Sequence, residues 1–212
     1  MQQEFIHPTT KRMKRAMDIL GALIGLSLTF WLFPLIALAI KFDSPGPVLF
    51  RQTRVGRIWP DRMEIFEMMK FRSMCNDAEK GTGAVWATKG DPRVTRVGKF
   101  LRKTRLDELP QFLNVLKGDM SLIGPRPERP CISDNLENDI PFYKERTYGV
   151  TPGITGLAQI YQGYDETLDD VRSKLGYDLA YSLTLNRPAA WLMTDLKIVF
   201  LTIWIMITGR GQ

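Results

Sequence analysis

The sequence predicts an α/β, mostly helical, membrane-associated domain, and three stretches carry that prediction. Ile19–Ile40 runs for 22 residues without a charge, long enough to cross a hydrocarbon core, which needs about 20. Val48–Gln52 and Met63–Met74, separated by a loop over Gly56–Asp61, read as the paired strands of a small antiparallel β element. Arg105–Gly118 places Leu109, Phe112, Leu113 and Leu116 at i, i+3, i+4 and i+7, one apolar face of a helix. A chain of 212 residues, 44% hydrophobic and 25% charged, suits one domain with a core plus a membrane segment.

Residues 1–15 form a polar N-terminal tail that turns basic at Lys11, Arg12, Lys14 and Arg15, and the membrane segment follows over 16–41. The apolar run is too long for a signal peptide, and no small-residue cleavage site follows it. A buried core helix is the plain alternative, disfavoured because few soluble helices are apolar on every face. Pro34 lies about two-thirds along the run and is expected to kink it. Cations flank both ends, Lys14 and Arg15 before, Lys41, Arg51 and Arg54 after. The positive-inside rule then has no asymmetry to act on, as for a hairpin with both ends on one side. Proline is also tolerated in spanning helices, so the residues alone leave re-entrance and crossing equally open.

After the turn cluster Ser44-Pro45-Gly46-Pro47 come the two strands. Along the second, Phe66, Met68, Lys70 and Arg72 share a face by the two-residue period, where the two cations could meet a phosphate or simply face water. Residues 75–92 read as a loop. Thr95 is placed to cap a short helix with Val97, Phe100 and Leu101 inward and its basic residues outward. Asp134–Asp139 reads as an acidic loop, Thr151–Gly156 as a tight turn and Leu168–Leu185 as a helix. The last segment, Ala189–Thr208, is apolar but interrupted by Asp195 and Lys197, and ends at Gly209-Arg210-Gly211. A full crossing would place those charges in lipid. Trp191 and Trp204 favour the interface, so a helix on the membrane surface fits better than a second span; packing on the soluble core fits almost as well.

The chemistry concentrates at Arg105–Gly118. With Asp107 as N-cap, Pro110 falls in the first turn, where its missing N–H costs nothing, and Gly118 ends the helix. A carboxylate at a helix N-terminus is held as the anion by exposed N–H groups and the dipole. Such an anion can act as nucleophile or metal ligand. Arg93, Arg96, Lys99, Arg102, Lys103 and Arg105 gather positive charge just upstream. Downstream, Gly124-Pro125-Arg126-Pro127 presents Arg126 on a backbone stiffened by proline on either side. Two carboxylates among arginines suit phosphoryl transfer to an acid. The competing reading is a capping aspartate beside a solvated basic face.

Composition removes other chemistries. The single histidine, His7, lies in the tail, which excludes Ser–His or Cys–His pairs and histidine metal sites. Cys75 and Cys131 have neither zinc nor CxxC spacing and point to a reducing compartment. No Walker A pattern occurs, and Gly81-Thr82-Gly83 lacks the third glycine of a dinucleotide fingerprint. The net charge of +6 calls for an anionic partner: nucleic acid, an acidic membrane surface or a phosphorylated substrate.

The chain resembles the bacterial monotopic phosphoglycosyl transferases, which begin lipid-linked glycan assembly, in their small form with the catalytic domain only. The matching stretches are KRAMDILGALIGL, KFRSM from Lys70, LRKTRLDELPQFLNVLKGDMSLIGPRP from Leu101, PGITGLAQ from Pro152, YDLAY from Tyr177 and DLKI from Asp195. They run from about residue 12 to 210, and the DELPQ–NVLKGDMS–GPRP block is the most specific. The resemblance implies transfer of a sugar 1-phosphate from a UDP-sugar to polyprenyl (undecaprenyl) phosphate. UMP is released, Mg²⁺ is required, and the route passes through a covalent aspartyl phosphosugar. By position, Asp107 would attack the β-phosphorus and Glu108 would bind Mg²⁺ or act as an acid–base group. Lys70, Arg102 and Arg126, with Arg72 and Gln159, would hold phosphates. The resemblance also implies that the N-terminal helix bends at its proline and re-enters, leaving 42–212 as a cytoplasmic catalytic domain on the bacterial inner membrane. It implies downstream glycosyltransferases and no nucleic acid partner. Two positions depart from the family pattern: Phe33 precedes Pro34 where some relatives have serine, and Thr151 stands where many have Arg or Lys. The alternatives are a membrane-anchored basic protein that binds anionic lipids without catalysis, and a polytopic-like enzyme using Asp107 only as a metal ligand.

Overall fold

A computed structural model describes residues 6–80, 83, 90–162 and 167–208. Of the loop expected over 75–92, residues 81, 82 and 84–89 lie outside those described, as does the ending Gly209-Arg210-Gly211.

Helix α1 (Pro8–Thr29) starts well inside the stretch expected to be a polar tail. Pro8 takes the first helical position, and His7 is the N-cap, its Nδ1 accepting from Thr9 N at 3.2 Å. Proline at the start and a side-chain acceptor before it make the helix boundary. The basic residues are therefore helical. Arg15 donates to Val115 O at 2.6 Å and Leu116 O at 2.7 Å, and Lys14 is buried.

Helix α2 (Leu32–Asp43) follows at a 64° bend across Phe30 and Trp31. Pro34 is the third residue of α2, inside its first turn. A proline ring clashes with the carbonyl four residues back, here Phe30, so the chain turns ahead of the proline rather than at it.

Strands β1 (Leu49–Ile58) and β2 (Met63–Phe71) pair antiparallel, Leu49 opposite Phe71 and Phe50 opposite Lys70. β1 runs through Gly56, expected in the loop; the register shifts between Val55 and Ile58, so Gly56 marks an irregular strand instead of a turn. β2 stops before Arg72. Helix α3 (Arg96–Lys103) is capped as expected by Thr95, whose Oγ1 accepts from Gly98 N at 2.9 Å. Leu101 is buried and Val97 packs with it, but Phe100 faces outward, against the expectation.

Helix α4 (Gln111–Lys117) ends at Gly118 with φ 95°, as expected. Its buried stripe is Gln111, Asn114 and Val115, while Leu113 is exposed. Polar residues displace the apolar stripe because Asn114 is consumed by backbone partners on β2: Met69 N donates to its Oδ1 at 3.0 Å, and its Nδ2 donates to Glu67 O at 2.8 Å.

β3 (Ser121–Ile123) and β4 (Gly153–Thr155) form a two-stranded parallel ladder, the second inside the expected tight turn. α5 (Pro130–Asp139) replaces the expected acidic loop, with Pro130 opening it and Leu136 in the core. α6 (Leu157–Tyr161) is short, and α7 (Leu168–Thr184) opens on a Thr167–Asp170 capping box.

α8 (Pro188–Thr208) buries Trp191, Asp195 and Ile198 on one stripe and exposes Met193, Leu196, Phe200, Ile203 and Trp204 on the other. Asp195 meets Lys14 Nζ at 3.1 Å, Tyr181 OH at 2.9 Å and Trp191 Nε1 at 2.7 Å. The charge that interrupts the apolar run thus points into protein. Beside this network, Asp18 Oδ1 accepts from Ser121 Oγ and Leu122 N, both at 2.8 Å, which fixes α1 to β3. Among the described residues, Pro188–Met206 is one helix long and apolar enough to cross a membrane, and α1 with α2 passes the same test as a bent pair.

Candidate active site

Four segments meet around Asp107. Arg105, in the left-handed region at φ 58°, turns the chain out of α3 into a single 3₁₀ turn over Leu106–Glu108. α4 begins only after Pro110. Asp107 is therefore not the cap of α4, contrary to the expectation, and the chemistry of the chain explains why. A cap at Asp107 needs the N–H of Leu109 or Pro110; proline has none, and Leu109 N is given to Leu106 O at 3.3 Å.

Glu108 is the hub. Its Oε1 accepts from Lys70 Nζ, on β2, at 3.0 Å and from Arg126, in the Gly124–Pro127 stretch, at 2.8 Å. Burial opposes ionisation of Glu108, but the Arg126 and Lys70 charges outweigh it and hold the carboxyl well below its usual range. Lys70 is pushed down by burial and partly restored by Glu108. Asp107 is buried at 5% exposure, and its Oδ1 has no hydrogen-bond partner. Burial raises its pKa; Lys70 acts against that rise, Glu108 adds to it, and Arg102 and Arg126 lower it again. Burial outweighs the nearby cations, so the Asp107 carboxyl titrates above its usual range, contrary to the anion held by helix N–H groups that the sequence suggested. One carboxylate is paired through a single oxygen with two cations and is held in its charged form. Its neighbour is unpartnered and easier to protonate.

The remaining expected residues separate. Arg102, in the last turn of α3, contributes charge to Asp107. Arg72 points away from the carboxylates and holds backbone instead. It donates to Pro45 O at 2.9 Å, Ser44 O at 2.6 Å and Ser44 Oγ at 3.0 Å, fixing the end of α2 and the turn after it. Gln159, on α6, has both amide atoms buried without partners. It stands beside the tight crossing of Gly156 and Gly124, where a Cβ on Gly156 would come within 2.2 Å of Gly124 O and 2.7 Å of Gln159 Oε1.

Sequence reasoning missed Arg54. From β1 it donates to Pro127 O at 3.1 Å and to Glu128 at 3.3 Å, and burial lowers its pKa to about 10. The two-residue period of β1 could have paired it with Gln52, whose Oε1 it contacts at 2.5 Å; its acceptor on Pro127 leaves no trace in sequence.

The arrangement suits a substrate with adjacent phosphates. Lys70, Arg102 and Arg126 can offset phosphoryl charge, and Asp107 offers an oxygen with no competing partner. Mg²⁺ takes one or two carboxylates and completes its shell with water and substrate phosphates. Neighbouring Asp107, with its unpartnered Oδ1, and Glu108 fit that requirement. Among the described residues no group of three or more His, Cys, Asp or Glu forms a larger cage.

Residues 9–209 match the family described as bacterial sugar transferase. The chain is 50% identical over 198 residues to a UDP-N-acetylgalactosamine-undecaprenyl-phosphate N-acetylgalactosaminephosphotransferase of Aeromonas hydrophila, covering 93% of this chain and 44% of that protein. It is 44% identical over 197 residues to a UDP-glucose:undecaprenyl-phosphate glucose-1-phosphate transferase of Caulobacter vibrioides, covering 92% and 70% respectively. An exopolysaccharide production protein of Rhizobium leguminosarum is 38% identical over 209 residues, 94% of this chain and 98% of its own.

Proposed function

Because the chain belongs to the bacterial sugar transferase family, we propose that it transfers a sugar 1-phosphate from a UDP-sugar to polyprenyl phosphate at a membrane surface. The observation that carries this reading is Asp107: a buried carboxylate with an unpartnered oxygen, set beside an ionised glutamate and within the field of Lys70, Arg102 and Arg126.

In the first displacement an Asp107 oxygen bonds to the β-phosphorus of the UDP-sugar. The bond from that phosphorus to the bridging oxygen breaks, and UMP leaves with the electron pair. In the second, a phosphate oxygen of the polyprenyl phosphate attacks the same phosphorus, and Asp107 departs as the carboxylate. Lys70 and Arg126 hold the phosphates in line, and Glu108 keeps both cations in place. Mg²⁺, held by Glu108 with Asp107 adjacent, would neutralise charge on the diphosphate. Positioning and charge stabilisation are what phosphoryl transfer demands of a protein. The lipid-linked product is a substrate for downstream glycosyltransferases.

The membrane reading follows from surface chemistry. Leu20, Leu23, Ile24 and Leu28 on α1, Leu35, Leu38 and Phe42 on α2, and the outer stripe of α8 are all exposed. Apolar exposure on this scale marks a membrane or protein interaction site. The bent α1–α2 pair enters and leaves on the cytoplasmic face of the inner membrane, and α8 lies along the surface with Asp195 turned inward.

The test is to incubate the purified chain with a labelled UDP-sugar and no lipid. Release of UMP with label on Asp107 is expected; label absent from the wild type, or retained in Asp107→Asn, overturns the covalent route.

A further inference from the structure

The stretch Gly124–Glu128 carries Arg126 but can form little backbone ladder of its own, since Pro125 and Pro127 lack N–H groups. It is held instead through its carbonyls, two of them by β1 and one each by β4 and Arg146. Gly153 N donates to Pro125 O at 2.9 Å, and Val55 N to Glu128 O at 2.8 Å. The two carbonyls between them are held by guanidinium groups: Arg146 donates to Arg126 O at 2.9 Å and Arg54 to Pro127 O at 3.1 Å.

Arg146 is itself fixed. Its Nε donates to Asp178 Oδ2 on α7 at 2.9 Å and its Nη1 to Tyr143 OH at 2.6 Å, and the pair Arg146–Asp178 is buried at 8% and 1% exposure. Arg146, Arg126, Tyr143, Glu128 and Ser133 also line one small cavity of about 10 Å³, so the guanidinium sits against the segment it holds with almost no free space. Burying a charge pair is costly, and this pair is aimed at one backbone oxygen, that of the arginine which contacts Glu108 at 2.8 Å.

We propose that Arg146, anchored by Asp178 and Tyr143, is a positioning residue for Arg126. It fixes the Arg126 backbone so that the Arg126 side chain meets both Glu108 and the substrate phosphate. The inference rests on the phosphate-binding role given to Arg126 above. A lysine at 146 keeps the charge beside Asp178 but cannot reach Asp178, Tyr143 and the Arg126 carbonyl together, because it lacks the planar fork.

The experiment is a double-mutant cycle on the full chain in liposomes, with wild type, Arg146→Lys, Arg126→Lys and the double variant. Thermal midpoint, kcat and KM for the UDP-sugar are read for each. Arg146→Lys is expected to lower kcat/KM roughly 10- to 100-fold, and in the Arg126→Lys background to lower it less than about threefold, because the residues act through one another. Tyr143→Phe, which keeps the packing and removes one anchor, is expected to show the same coupling at smaller size. Unchanged kcat/KM in a folded Arg146→Lys overturns the proposal. So do losses that multiply independently with Arg126→Lys, which is what a merely structural role gives. If wild type transfers sugar phosphate but Arg126→Lys is fully active, the phosphate role of Arg126 fails; if wild type forms neither adduct nor product, the proposed reaction fails.

Discussion

Asn114 accepts the Met69 backbone N–H at 3.0 Å, joining the helix that follows Asp107 to the strand that carries Lys70. One buried amide therefore sets the spacing between the carboxylates and their nearest cation. Asn114→Ala leaves Met69 N and Glu67 O without these partners and is expected to cost about 2–4 kcal/mol. Thermal unfolding in detergent checks it, at about 2–4 °C per kcal/mol for a chain of this size. Activity is expected to fall further than stability predicts.

Asp107→Asn is expected to abolish transfer, by at least about a thousandfold, without loss of stability. Burial raises the folded-state pKa of Asp107 above its unfolded value, so its ionisation works against folding as pH rises through the folded value. The amide removes that cost, and a midpoint at pH 7 equal to or above that of wild type is the expected result. In the active protein the same shift moves the acid limb of kcat/KM above the ordinary aspartate value of about 3.9; a pH–rate profile reads it directly.

Glu108→Gln has the opposite signature. The folded carboxyl is held below its unfolded value by Arg126 and Lys70, so its stabilising contribution is present above about pH 4.3 and is lost as pH falls from there through the folded value. The variant leaves Lys70 and Arg126 facing one another and is expected to lose about 3 kcal/mol at pH 7. Denaturant midpoints measured from pH 7 down to pH 3 are expected to show the gap from wild type narrowing toward the acid end. A constant gap would contradict this account.

Asp195→Ala strands Lys14, whose ammonium lies 3.1 Å from the carboxylate in a buried setting. The expected cost is about 3–5 kcal/mol, seen as low yield and a depressed unfolding midpoint in detergent. Replacing both partners, Lys14→Met with Asp195→Leu, is expected to recover only part of the loss: an apolar pair removes the desolvation penalty, but Trp191 Nε1 and Tyr181 OH lose their acceptor.

The residues gathered at the candidate site were more legible in the sequence than the scaffold. Asp107, Glu108, Arg102 and Arg126 stand out because carboxylates set among cations and an arginine between prolines are compositional signals that need no coordinates. The backbone around Asp107 was not legible: a single 3₁₀ turn has no periodicity, and the hydrogen bond that decides against a cap, Leu109 N to Leu106 O, leaves no pattern. β3 and β4 are three residues each, too short for alternation to register. Arg72 was misleading for a related reason. The two-residue period placed it beside Lys70, but β2 ends at Phe71, and the side chain swings to the end of α2. Arg54 and Arg146 act on carbonyls 73 and 20 residues away, distances at which one sequence gives no hint.

The Lys14–Asp195 contact also dictates a schedule. Its partners are 181 residues apart, and at about 5–20 residues per second of synthesis the lysine waits roughly 10–40 s for its carboxylate. Throughout that interval Asp18, one turn along α1, is the acidic group that Lys14 has nearby. Completion of the eighth helix ends the wait and ties the opening of the fold to its close.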